Sequence, residues 1–354
     1  MVYRDFCGSD VAQSVVIFNM KKNQKKLKGA VRLAIQPPTN NCSSHAWHEL
    51  AALLESKQTL TLVIGAGIHK VLHHDDPKIY ESCLLLSSWL GLLSNTFPHF
   101  VHSKSPSLSW ELCIQADSSK LSAKAREMSY MRKVRELVAT AEEPVLRSHY
   151  FDARVARVLK SQKISDIVSL NFDLIAEQLL SKSGADRSTL SQKTKTSERH
   201  RKVGSKRIWH PHGDRGRIDL MHLGLRQYGL VIKPVEAARR KFKEWERKQK
   251  DKSKSPFSSK EPSNWIDLMI GHHLIFIGCS LDFSEWDMWF ALVNRWRNYA
   301  IPKNKRYEPK TFVLTTGKNH KHLPSQFLRL DAPKYEDGWK WLGDMLNKST
   351  DGRG

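Results

Sequence analysis

The chain has 354 residues with 58 Lys and Arg against 36 Asp and Glu, a formal net charge of +22, and 40% of its residues are hydrophobic. That apolar fraction excludes global disorder, and the length suits about two domains or one large α/β domain carrying insertions. Five cysteines (Cys7, Cys42, Cys83, Cys113 and Cys279) are odd in number, widely spaced and free of any C-x-x-C pair, which excludes a secreted disulfide scaffold and points to a reducing compartment.

Taken in chain order, residues 1–43 read as an N-terminal extension with a basic run from Lys21 to Lys28, a candidate for assembly contacts. The first residues, MVYRDFCGSD, carry no signal-peptide core. Ser44 is placed to cap a helix running through Leu54. A β-branched, apolar stretch from Thr59 to Ile64 predicts a buried strand, and Ile164–Leu170, His273–Ile277 and Lys310–Thr315 repeat the pattern. Continuous apolar runs of this kind, far apart in the chain, suit parallel strands covered on both faces. The expected fold is therefore α/β, a Rossmann-like, doubly wound parallel sheet.

Between about residues 73 and 160 the pattern turns helical, with expected helices over 79–93, 121–142 and 144–160. This predicts an inserted helical layer whose SSWLGLL stretch and Phe97 and Phe100 fill a core. The longest apolar run, Cys83 to Leu93, is too short to span a bilayer, so the expectation is a cytoplasmic protein with no membrane partner.

The charge is localised. Lys193–Lys260 holds 21 Lys and Arg against 7 Asp and Glu, a net of +14. Two basic insertions build it: a polar stretch at about 181–206 that reads as a mobile loop, and a run at about 236–262 that reads as a surface helix fraying into a Ser/Lys/Pro segment. Such a surface suits an acidic protein or nucleic acid phosphates. No RNA-binding aromatic signature, zinc-finger spacing or helix-turn-helix accompanies it, which leaves nucleic acid as the secondary reading. The main domain spans 44–345, and 346–354 is expected to be a flexible tail.

Four motifs lie on or beside the expected strand ends. Gly65-Ala66-Gly67-Ile68 follows the first strand as the G-x-G of a dinucleotide-binding turn. Asn171-Phe172-Asp173 follows the second strand, placing a carboxamide and a carboxylate where ligands bind in such folds. His210-Pro211-His212-Gly213 and Gly278-Cys279-Ser280-Leu281-Asp282 complete the set. In this order they resemble the sirtuin-like fold, and specifically the NAD-consuming sirtuin-like domains of bacterial antiphage defence proteins, over about Thr59 to Leu314.

The resemblance implies a set of roles. Asn171 and His212 become the catalytic pair; Gly65, Ala66, Gly67, Ile68, His69 and Asp173 join Gly278, Ser280 and Asp282 in binding NAD. His212 is preferred over His210 because the family's histidine precedes the glycine. At an ordinary pKa of about 6.5, His212 would accept a proton near neutrality. The implied activity is NAD+ hydrolysis to ADP-ribose and nicotinamide, with NAD+ as substrate and no separate cofactor. The implied setting is a toxic effector of abortive infection, controlled by a protein partner or by oligomerisation. The alternative is a nucleic-acid-binding or scaffold subunit with a degenerate pocket.

The chain departs from the family where His69 replaces the serine of G-A-G-I-S, so His69 reads as a substitute ligand contact or as a surface side chain. The four-cysteine zinc module of sirtuin deacylases has no counterpart, so no metal and no zinc are expected.

Overall fold

The computed structural model describes residues 43–348 except 57, 59, 73–75, 104, 148–152, 182–188, 191–195, 249–261, 282–284 and 317–322. All of them belong to one compact unit, residues 37–354. The expected N-terminal extension, Asp282, most of the tail and parts of both basic insertions lie outside the described residues.

Among the described residues eight strands form one sheet: β1 (Leu60–Ile64), β2 (Ile164–Ser169), β3 (Thr189–Leu190), β4 (His200–Val203), β5 (Lys206–Trp209), β6 (His273–Ile277), β7 (Thr311–Thr315) and β8 (Phe327–Asp331). Their spatial order is β3-β4-β5-β2-β1-β6-β7-β8. The six strands from β5 to β8 are parallel, and the β3-β4-β5 edge is antiparallel. In the parallel part the chain steps outward from β1 through β2 to β5, then returns to the other side of β1 for β6, β7 and β8. This is the doubly wound order of dinucleotide-binding sheets, and its direction reverses between β1 and β6.

The four expected strands are present, each within one residue of its expected limits. Strand periodicity sends successive side chains to opposite faces. Leu62, Ile64, Ile275, Ile277, Phe312 and Leu314 pack under the helical layer and helix Tyr335–Lys348. Val63, Leu274, Phe276 and Val313 pack under helices Ile232–Lys248, Trp265–Gly271 and Trp286–Tyr299. Burial on both faces explains why these strands read as unbroken apolar runs.

Three expectations change. The helix expected over 79–93 is two, Pro77–Leu86 and Trp89–Thr96, because Ser88 caps the second by accepting a hydrogen bond from the Gly91 amide at 2.9 Å. The expected break before Pro144 is absent: helix Ala123–Arg147 runs through that proline, and Ala153–Lys160 is separate. The stretch expected as a mobile loop over 181–206 contains β4, whose polar sequence HRKV suits the margin of a sheet, where charges blunt edge pairing. Arg201 there forms a two-pronged ion pair with Asp214, at 2.6 and 3.1 Å.

Candidate active site

At the carboxyl ends of β1, β2 and β6 lies a cavity of about 650 Å³, within the range of small-molecule sites. Its base is a contact between two strand-end loops. The Gly65 amide donates to the Ile277 carbonyl at 3.0 Å and the Gly67 amide to the Gly278 carbonyl at 2.8 Å. A Cβ on Gly65 would sit 2.6 Å from the Gly278 carbonyl oxygen, and one on Gly67 would sit 2.5 Å from the Gly278 Cα. Gly278 itself has φ +67° and packs against Gly67 and the Tyr335 hydroxyl. These glycines are therefore required by the packing of loop on loop, which also commits the Gly65 and Gly67 amides. Ala66 lies on the wall, as does Lys70, an exposed cation that the motif reading passed over. The helix that follows, His69–Leu72, is a single turn, so the full charge of Lys70 outweighs its dipole.

Ile68 is buried, and His69 is fully buried rather than on the surface. His69 Nε2 lies 3.0 Å from Asp173 Oδ2. Burial would raise the Asp173 carboxyl, but His69 and the Ile175 amide hold it below the usual carboxylate range. Asp173 also accepts from that amide at 3.1 Å, so it, not Asn171, receives the hydrogen bond at the start of helix Ile175–Ser181. Asp173 thus ties the β2 loop to the β1 loop, and Asn171 lines the cavity.

His212 lines the same cavity, whereas His210 is held at its back by Glu177 at 2.8 Å and the Asn171 carbonyl at 3.0 Å. Gly213 has φ +78°, and a Cβ there would sit 2.1 Å from the Leu220 carbonyl oxygen, so the glycine after His212 serves the turn. His212 Nε2 meets Asp287 at 3.0 Å and Glu285 at 3.8 Å, and the ring lies 4.8 Å from Tyr228. Burial opposes a charge on His212, yet Asp287, Glu285 and the Leu170 backbone push its pKa up to about 9. The expected ordinary value near 6.5 is therefore corrected: at neutrality His212 is an imidazolium held by carboxylates.

Glu285 shares the cavity wall with Tyr228, Trp89, Phe172 and Tyr335. Of these only Phe172 lies in a motif read from sequence, and the SSWLGLL stretch expected only to fill a core places Trp89 here, its ring 5.0 Å from Phe172. Gly278 and Ser280 are on the wall. Among the described residues, His212, Glu285 and Asp287 bring donor atoms within 4.8 Å of one another, close enough for a cation. A proton on His212 offsets one of the two carboxylate charges in the same cluster.

The helical layer clamps the two loops. Arg215, after the histidine turn, pairs with buried Glu142 of helix Ala123–Arg147 at 3.0 Å. Glu142 also accepts from the Leu174 amide at 3.4 Å.

No curated protein matches the chain. Residues 165–326 match the family model of the SIR2-like domain, a range that includes Asn171, His212 and Gly278 and begins after the glycine loop that β1 brings to them. With the doubly wound sheet, this match supports a sirtuin-like domain in the chain, and at the family level a SIR2-like domain points to an NAD-related activity.

Proposed function

We propose that the chain is an NAD+ glycohydrolase, cleaving NAD+ to ADP-ribose and nicotinamide. The observation that carries this reading is the convergence of Asn171 and His212, from separate strand ends, on the cavity whose base is the β1–β6 glycine contact. In this reading Lys70 and Ala66 face the pyrophosphate, and Asn171 orients the nicotinamide ribose by hydrogen bonds without adding charge.

The C–N bond breaks with its electron pair leaving on nicotinamide, and positive charge develops on the ribose. A water oxygen then bonds to the anomeric carbon and loses a proton. The carboxylate of Glu285, on the cavity wall, offsets the developing charge. His212 in its neutral form takes the proton, and Asp287 stabilises the imidazolium that results. Sirtuin-like hydrolases of this type suit a toxic effector of antiphage defence, and such an activity needs restraint by a protein partner or by oligomerisation. The basic helix Ile232–Lys248 is the contact surface we favour.

The test is NAD+ loss by the purified chain, alone and with the products of neighbouring genes. Asn171→Ala and His212→Ala should each lower the rate at least about 100-fold, the scale of general acid–base catalysis. Turnover that survives both substitutions would remove the site assignment.

A further inference from the structure

The histidine turn has a cavity on each side. The second, of about 670 Å³, lies between helix Ile232–Lys248 and the start of helix Trp265–Gly271, with Pro211 and His222 in its wall. Val231, Pro234, Ala238 and Trp265 make its sides apolar. Lys233, Arg240 and Lys241 bring three positive charges to it, against Glu198 and Asp267. Lys241 is committed to Asp267 at 3.1 Å. Lys233 and Arg240 are exposed and enter no hydrogen bond or ion pair among the described residues.

His222 is only 7% exposed, and its imidazole has no hydrogen-bond partner among the described residues. Burial, reinforced by the charge on His212, lowers its pKa to about 4, so the ring is neutral and offers one donor and one acceptor. In the cavity wall the ring presents both groups to a ligand.

We propose that this second cavity binds a nucleoside phosphate, with the phosphate between Lys233 and Arg240 and the nucleoside against the apolar sides and His222. Arginine suits phosphate because its planar fork matches two oxygens at once. An apolar chamber with a few convergent polar groups suits the nucleoside.

The two cavities are joined through short chain segments. Pro211 lines one and His212 the other. The His222 amide donates to the His212 carbonyl at 2.7 Å. Tyr228, against the His212 ring, leads directly into Leu230 and Val231 of the second cavity. A ligand there therefore acts on the position of His212, and this regulatory consequence rests on the hydrolase reading, whereas the binding itself does not.

Hydrogen exchange of the full chain with and without AMP and ADP tests the site. The expected result is protection of 230–241 and 263–267, in addition to any at 65–70. The double variant Lys233→Glu and Arg240→Glu should weaken protection of the second region at least about tenfold in ligand concentration. Protection confined to 65–70 for both nucleotides, or protection of 230–241 unchanged in the double variant, overturns the proposal. Two-region protection in a chain that consumes no NAD+ overturns only the hydrolase reading; NAD+ consumption with protection at 65–70 alone overturns only the second site.

Discussion

His212 shows how a single side chain takes its character from neighbours distant in sequence. Its motif is readable in the chain, but Asp287 lies 75 positions away and carries no signature of its own. Together Asp287 and Glu285 raise the histidine pKa to about 9 against the effect of burial. A general base must be neutral to accept a proton, so under the proposed mechanism activity rises with pH through the neutral range toward about pH 9. Asp287→Asn removes the nearest negative charge and should move this limb down by about one pH unit or more, while lowering the plateau rate. A pH profile of kcat/KM for both proteins checks it, and an unshifted limb would remove His212 as the titrating group. Lys70 and Tyr335, both on the cavity wall, were likewise silent in the sequence, because neither residue type nor spacing distinguishes them from surface positions.

Strands and loops were more legible than single residues. Four strands followed from apolar runs, since a strand buried on both faces has no polar alternation to obscure it. β5 was not among the four strands legible as apolar runs. Its sequence, KRIW, hides two polar roles: buried Lys206 reaches the Ser161 and Ile164 carbonyls, and half-buried Arg207 pairs with Asp166 at 2.7 and 2.8 Å. Helix Trp286–Tyr299 holds a comparable surprise. Its Arg295 is fully buried, with the guanidinium donating to the carbonyls of Met269, His272 and Lys310 at 3.0, 2.7 and 3.2 Å. Burial lowers its pKa to about 10, so it remains charged. Arg295→Met keeps the bulk but leaves these carbonyls unpaired, and should cost at least about 3 kcal/mol in urea-induced unfolding. A loss below about 1 kcal/mol would show that this helix does not depend on the guanidinium.

For the molecule as a whole, buried His210, His212 and His222 and half-buried His273 give opposing pH trends. His210 and His212 have native values of about 9 and stay protonated when the unfolded chain would release protons, so their contribution is full below about pH 6.5 and declines as pH rises toward 9. His222 and His273, at about 4 and about 3, stay neutral where the unfolded chain binds protons, so their contribution declines as pH falls below about 6.5. Thermal stability should therefore peak near pH 6.5, and replacing His210 and His212 by Gln should flatten the side between pH 6.5 and 8; scanning calorimetry across pH 5 to 8 measures both. No helix among the described residues is long and apolar enough to cross a membrane. The net charge of +22 first suggested a polyanion partner; helix Ile232–Lys248 places part of that charge beside an apolar cavity. By itself the sequence determined the α/β class, the central strands and the motif residues Asn171 and His212, because strand burial and short motifs are local properties of the chain. Only the tertiary structure decided that Gly65 and Gly67 serve loop packing, that His69 is bound to Asp173, and that Asp287 and Glu285 raise the pKa of His212, because each depends on groups brought together by the sheet from separate parts of the sequence.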